Sequence, residues 1–312
     1  MLTIKAGDLR ASQRASIAPI ATTPLSHLTG RHLGALRRHE ENALSGIGPT
    51  YSTNAARDGL RISDLYQDQD FFEQKLRKWK DQLRPYIVDA VDYMRVAQEK
   101  KRSVLVKGSQ GLMLDIDYGT YPYVTSSHTG LGGCIQALTL NPFTIKNVIA
   151  VVKAYTTRVG GGPFLTELTD ETGKKLQEIG GEIGVSTGRH RRCGWLDLVV
   201  LKYSTAVNHY TSTNLTKLDV LDTFPTIRVA TAYITPDKEK LTSFPADLSL
   251  LEKCTVEYTD FEGWQSPTQG VRKWADLPPL AQKYIQFIES FIGVKITTIG
   301  TGQDREDMIL CE

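Results

Sequence analysis

Strand-like and helix-like runs alternate along this chain, and no other feature restricts its fold as tightly. Val148 to Val159 is rich in β-branched and aromatic residues and reads as a buried strand. Trp195 to Tyr210 places Leu196, Val199, Val200, Tyr203 and Val207 at helical spacing. Ile227 to Ile234 returns to strand character. A helix follows from Pro279 to Ile292, expected to bury Tyr284, Phe287, Ile288 and Phe291, and Val294 to Ile299 is a last strand. This succession predicts an α/β fold, a mainly parallel sheet with flanking helices that gathers ligands at the carboxyl ends of its strands. Earlier in the chain, Phe72, Leu76, Trp79, Leu83, Ile87, Val91 and Met94 predict an amphipathic helix broken or kinked at Pro85, and Ser103 to Val106 predicts a short strand.

Between the strand at Val148 and the helix at Trp195 lies the chemically richest stretch, Gly184 to Asp197. There Arg189, His190, Arg191 and Arg192 stand between Gly188 and Gly194, just after Ser186 and Thr187. Several charge-assisted donors on a glycine-flanked loop suit an anion, phosphate or carboxylate. A solvated basic loop is the competing reading. The amphipathic run that follows favours the anion site, because a helix entrance adds its own positive end. Charge elsewhere is balanced: a net +2 and a pI near 8.2 give no reason to expect nucleic acid or a membrane surface, and no apolar run is long enough to span a bilayer. The 4 cysteines and 6 histidines show no metal-ligand spacing, so reduced thiols in a cytoplasmic setting are expected.

Smaller signals complete the residue-level reading. Gly108-Ser109-Gln110-Gly111 is a glycine-flanked turn where Gln110 can offer an amide to a ligand. Asp115 and Asp117 are paired acids, expected to hydrogen-bond a turn rather than hold a metal. Gly160-Gly161-Gly162-Pro163 resembles a phosphate loop only weakly, since no Lys-Ser or Lys-Thr follows. Leu215-Thr216-Lys217-Leu218-Asp219 looks like the Asn-Lys-x-Asp element of GTP-binding proteins, in which the carboxylate accepts from guanine N1–H and the exocyclic amine while the lysine stem covers the ring.

Taken together, the arginine loop, Gly-Thr-Tyr-Pro-Tyr-Val-Thr-Ser-Ser at 119–127, Lys-Ala-Tyr-Thr-Thr-Arg-Val-Gly at 153–160 and Leu-Thr-Lys-Leu-Asp-Val-Leu-Asp at 215–222 resemble the adenylosuccinate synthetase family, from about Gly46 to Ile309. The resemblance implies a fold akin to P-loop GTP-binding proteins and a ligase of AMP biosynthesis. Such a ligase joins IMP and L-aspartate as GTP is hydrolysed to GDP and phosphate. GTP would phosphorylate the IMP 6-oxygen with magnesium assisting, and the aspartate amine would then displace phosphate. It further implies IMP binding by Gln110, Thr125, Arg189 and, across a homodimer interface, Arg57. Aspartate would be held by Val185, Ser186, Thr187, Gly188, Arg189, His190 and Arg191. GTP would be held by Arg191, Lys217, Leu218, Asp219, Gly300, Thr301 and Gly302.

The pattern also departs from the family. No Gly-Asp-Glu-Gly and no Gly-x-x-x-x-Gly-Lys occurs in the sequence, so neither the expected aspartate base, the histidine nor magnesium ligands are identified. Residues 1–45 form a divergent basic segment, read as a disordered tail, a transit-like segment or a gene-model artefact, ahead of a synthetase-like domain at 46–312. Asn54, Lys107, His128, Leu165 and Ser186 replace residues usual in the family. The expectation is therefore a sheet without its first strands, with exposed edges, and a chain of impaired activity alone. The alternatives are a non-catalytic subunit that pairs with a full-length chain, or a truncated gene copy.

Overall fold

The computed structural model describes residues 11–12, 51–52, 55–57, 87–184 and 188–311, in two compact units, Met1–Thr144 and Ile145–Glu312. In the first unit β1 (Ala11–Ser12) lies parallel to β2 (Ile87–Val88). Helix α1 (Ala90–Glu99) begins where the Asp89 carboxylate accepts from the Val91 amide at 2.9 Å, and it buries Met94 and Ala97. The helix expected to run from Phe72 to Met94 is thus corrected at its end: Ile87 and Val88 are extended, and residues 72–86 lie outside the described residues. Pro85 cannot sit in a helix interior without losing a hydrogen bond, and Asp89 supplies a fresh N-cap beyond it. The strand expected at Ser103–Val106 is also corrected. Only Val104 makes a bridge, and Leu105 is left exposed, because the apolar run is too short to sustain a ladder between polar flanks. Helix α2 (Leu131–Leu138) follows, and Gln98 of α1 accepts from the Asn141 amide beyond it at 2.8 Å.

The second unit runs β3 (Ile149–Lys153), β4 (Thr156–Arg158), α3 (Glu171–Gly180), β5 (Arg192–Gly194), β6 (Leu196–Asp197), α4 (Leu198–Asn208), β7 (Ser212–Thr216), β8 (Thr226–Ile234), β9 (Lys240–Leu241), α5 (Leu248–Leu251), β10 (Thr255–Glu262), α6 (Pro279–Ile292), β11 (Ile296–Gly300) and β12 (Met308–Leu310). One sheet has the order β12-β11-β7-β3, with β3, β7 and β11 parallel and β12 antiparallel. A second sheet is built on β8, flanked antiparallel by β10 and β9 and parallel by β6. The fold is α/β with open mixed sheets. The mainly parallel expectation describes the first sheet only. In the second, β10 keeps a wet face, which antiparallel pairing tolerates.

Helix α6 starts at Pro279, whose fixed φ suits a first helical turn, and stops at Gly293, where φ is 70°. Its stripe of Ala281, Tyr284, Ile285, Ile288 and Ile292 enters the main core with Leu198, Leu215, Ile227 and Ile299. Each isoleucine of that stripe contributes about 1.5–3 kcal/mol on burial. Phe287 and Phe291, expected inside, are half-buried at the rim, because the stripe is centred one position away from them. The reading of Val148–Val159 as one buried strand also changes. It splits into β3 and β4, and β3 is the edge of its sheet among the described residues, with Ile149 and Val151 exposed, Ala150 buried and Val152 packed half-buried against the core. Among the described residues no helix is long and apolar enough to cross a membrane.

Candidate functional site

The parallel register pairs Lys153 with Thr216 and Leu215 with Ile299, so the carboxyl ends of β3, β7 and β11 finish side by side in the second unit. Beyond Thr216 the chain turns at Lys217 with left-handed backbone (φ 60°) into a 3-10 turn, Leu218–Leu221. A lysine there carries strain of about 1–3 kcal/mol, and the fold holds it through the ammonium group. That group donates to the Gly180 carbonyl and, at 3.1 Å, to Glu182 Oε1. Leu218 is fully buried in the core, which leaves only its backbone for a ligand.

Asp219 is half-buried, and its Oδ1 is a buried acceptor that meets no hydrogen-bond donor among the described residues. Burial pushes its carboxyl pKa up, and the nearby Asp222 and Asp307 carboxylates add to that. Asp222 itself is fully engaged: it accepts from Trp264 Nε1 at 2.7 Å, the Thr268 amide at 2.7 Å and the Thr268 hydroxyl at 2.8 Å. Opposite, a Cβ on Gly300 would lie 3.4 Å from Thr216 Cα, so the two backbones pack directly. Thr301 is wholly buried, with its hydroxyl donating to Val271 O at 2.8 Å and its amide to Asp307 O at 2.9 Å. It therefore shapes the turn rather than offering a side chain, and Gly302 follows against Asp307.

Glu182 lies at the centre of the second unit's polar cluster, with no exposure at all. Its carboxylate accepts from Lys153 Nζ at 2.8 and 2.9 Å, from Tyr155 OH at 2.5 Å, from Arg191 Nη1 at 2.8 Å and from Lys217 Nζ at 3.1 Å. Burial alone would raise its pKa, but the bonds from Lys153, Tyr155 and Arg191 outweigh that and bring it to about 2. Burial drives the Tyr155 phenol far upward, and Glu182 adds to the shift. The sequence reading gave no role to Glu182, Lys153 or Tyr155, although Lys153 and Tyr155 stand in the Lys-Ala-Tyr-Thr-Thr-Arg-Val-Gly run at 153–160; Glu182 carried no signal there.

The arginine loop has a hairpin neck. Ile183 bridges His190, the Arg191 amide donates to Glu182 O at 2.8 Å, the Gly184 amide to Arg189 O at 2.7 Å and the Gly188 amide to Gly184 O at 2.7 Å, with Gly188 at φ 65°. Val185, Ser186 and Thr187, like Asn54, lie outside the described residues. Arg189 and His190 are exposed at the neck, whereas Arg191 turns inward to Glu182. Arg192 forms a fork to Glu167 at 2.7 and 2.5 Å and donates to the Gly160 and Gly162 carbonyls at 3.2 and 2.9 Å. The weak phosphate-loop resemblance at Gly160–Gly162 is thereby removed, since its carbonyls face cations. A shared helix end is also corrected. The chain passes through β5 and β6 before α4, and that helix's first amides at Val199 and Val200 are capped by Asp197 at 3.1 Å. Burial raises the Asp197 carboxyl to about 6, against the Tyr233 hydroxyl that donates to it at 2.7 Å.

In the first unit Arg57 is exposed with φ 66°, and Gln110 is exposed with φ 65° and takes a 3.0 Å bond from Ser109 Oγ. Half-buried Thr125 donates its amide to Leu114 O at 2.8 Å, and Thr129 Oγ1 donates to Gly111 O at 3.3 Å, which laces the segment after Gln110 to the one bearing Thr125. Asp115 does what a turn acid was expected to do. Buried, it accepts from the amides of Asp117, Tyr118, Thr129 and Gly130 at 3.0, 3.1, 2.6 and 3.4 Å. His128, unexplained by the sequence, sits 3.6 Å from Asp117 Oδ2. Among the described residues no group of three or more His, Cys, Asp or Glu converges as a metal site, so no step is assigned to magnesium.

Comparison with known proteins adds the following. The adenylosuccinate synthetase family model matches residues 70–309. An adenylosuccinate synthetase of Pyricularia oryzae is 55% identical over 291 residues, covering 85% of this chain and 69% of that protein. One from Saccharomyces cerevisiae is 52% identical over 293 residues, covering 85% and 67%. A fully ligated adenylosuccinate synthetase structure from Plasmodium falciparum superposes with a TM-score of 0.84 at 35% identity, covering 90% of this chain and 73% of that one.

Proposed function

Because the chain belongs to the adenylosuccinate synthetase family, a family of GTP-dependent ligases in purine biosynthesis, we propose that it binds GTP, IMP and L-aspartate and serves the joining of IMP to aspartate. The observation that carries this reading is the buried Asp219 Oδ1, which has no donor among the described residues, beside Lys217 at the carboxyl end of β7. A carboxylate there accepts from guanine N1–H and the exocyclic amine, which adenine cannot both supply. The Lys217 stem, tethered at its tip, covers the ring, and the backbone at Gly300, Thr301 and Gly302 closes the opposite wall. Arg191 reaches the nucleotide. Val185, Ser186, Thr187, Gly188, Arg189 and His190 enclose the aspartate carboxylates, for which guanidinium forks are suited. Gln110 and Thr125 contact IMP, and Arg57 reaches the IMP of a second protomer. The γ-phosphoryl group of GTP passes to the IMP 6-oxygen, and the aspartate amine then expels phosphate.

The sequence holds no Gly-Asp-Glu-Gly segment and thus no identified base for the first step, so turnover by this chain alone is slow. The same absence supports a second reading, a binding subunit that pairs with a complete chain and lends Arg57. Two measurements test these readings. GDP should bind at least about 100-fold tighter than ADP, the scale on which buried polar groups discriminate; equal binding sinks the guanine assignment. With IMP, aspartate, GTP and magnesium, adenylosuccinate should form far below the ordinary enzyme rate of about 10 per second. A normal rate overturns the slow-turnover reading, and a heterodimer with a chain that carries the missing segment, at an activity different from that chain's own, favours the subunit.

A further inference from the structure

We infer that Glu182 is a positioning residue that couples the guanine-reading turn to the neck of the arginine loop, so that nucleotide at Asp219 and an ordered neck favour one another. The inference rests on the guanine assignment above and goes beyond it. One carboxylate serves both elements: Oε1 takes Lys217 of the turn at 3.1 Å, and Oε2 takes Arg191 of the neck at 2.8 Å. A carboxylate is planar and rigid, so neither partner can shift without moving the other's acceptor. The carboxylate has no room to swing away, because Glu182 has no exposure and Tyr155 and Lys153 fix its remaining lone pairs. Its backbone belongs to the neck as well, since the Glu182 carbonyl accepts the Arg191 amide at 2.8 Å. Lys217 adds a second tie through the Gly180 carbonyl, two residues before Glu182.

Lys153, Arg191 and Lys217 all converge on the Glu182 carboxylate, so the turn and the neck share one acceptor. By linkage, any ligand that orders Lys217 must then order the neck by the same factor, ordinarily about 5- to 150-fold.

Hydrogen–deuterium exchange on the full chain tests this. In the wild-type protein, saturating GDP should slow exchange of the Gly184 and Gly188 amides by a factor in that range, and ADP should not. In Glu182→Gln, GDP should bind more weakly and the GDP-dependent slowing should vanish. A purely structural role would instead raise exchange equally with and without nucleotide. GDP that binds the wild type without slowing these amides overturns the coupling while leaving the guanine assignment intact; absence of GDP binding overturns both. Glu182→Gln that keeps the full wild-type slowing also overturns it. Should that variant fail to fold, the wild-type comparison of GDP with ADP decides alone.

Discussion

Replacing Asp219 with Asn tests the reading turn through both ligand and fold. The carboxylate offers guanine two charge-assisted acceptors, each worth about 1.5–3 kcal/mol. The amide keeps one neutral acceptor and turns a donor toward a donor, so the net loss is about 3–4 kcal/mol, a fall of roughly 10²- to 10³-fold in GDP affinity. Xanthine carries a carbonyl where guanine has its exocyclic amine, and the Asn amide can donate to it, so xanthosine diphosphate should become the preferred ligand. Without ligand the effect has the opposite sign. Burial raises the Asp219 carboxyl in the folded state, so its contribution to stability is fully present below the ordinary carboxylate range and is lost as pH rises through the folded value. Asp219→Asn removes that loss, and the variant should melt above the wild type at pH 7.5, with the difference shrinking toward pH 4. Isothermal titration with the two nucleotides and thermal melts across pH supply the readings. A GDP affinity within about 3-fold of wild type, against the expected 10²-fold, would falsify the assignment of Asp219 to the base.

Two further outcomes follow from the same chemistry. Asp197 is almost fully buried with its carboxyl raised to about 6, so its contribution to stability is complete below about pH 4 and fades as pH rises through 6. Asp197→Asn keeps an acceptor for the Val199 and Val200 amides, and urea titrations should show the wild type losing about 3 kcal/mol relative to the variant between pH 4 and 8; parallel curves would contradict the burial argument. Gly180→Ala would drive a methyl group into the Tyr155 hydroxyl that donates to Glu182, and should cost about 1–3 kcal/mol in urea denaturation; an unchanged midpoint would mean that the cluster is looser than its geometry implies.

Local chemistry was legible in the sequence wherever it was local in the chain. The limits of α6 were readable because proline and glycine punctuate them, and Asp115 as a turn acid because two of its four donors, the Asp117 and Tyr118 amides, lie in its own turn, while Thr129 and Gly130 come from farther along the chain. Thr216-Lys217-Leu218-Asp219 was readable as a strand-end turn from its motif. Glu182 was not, since its partners lie 29 residues before it at Lys153 and 35 after it at Lys217, a separation at which only the sheet register brings them together. The start of α4 was misjudged for a related reason. Leu196 fits both a helical stripe and an extended pair with Val229, and the tertiary partner decided.

Asp222 has a consequence for the timing of recognition. Through Trp264 and Thr268 it pins the turn proposed to read the base, and the Gly270 amide and Val271 carbonyl of the same loop pin Thr301 on the proposed far wall. Both walls are thus held by one brace formed when the second unit folds, and little loop entropy is left to lose when a purine arrives. Discrimination between bases should then be expressed in how long each stays bound: guanine and adenine nucleotides enter at similar rates, and the unmatched one departs sooner.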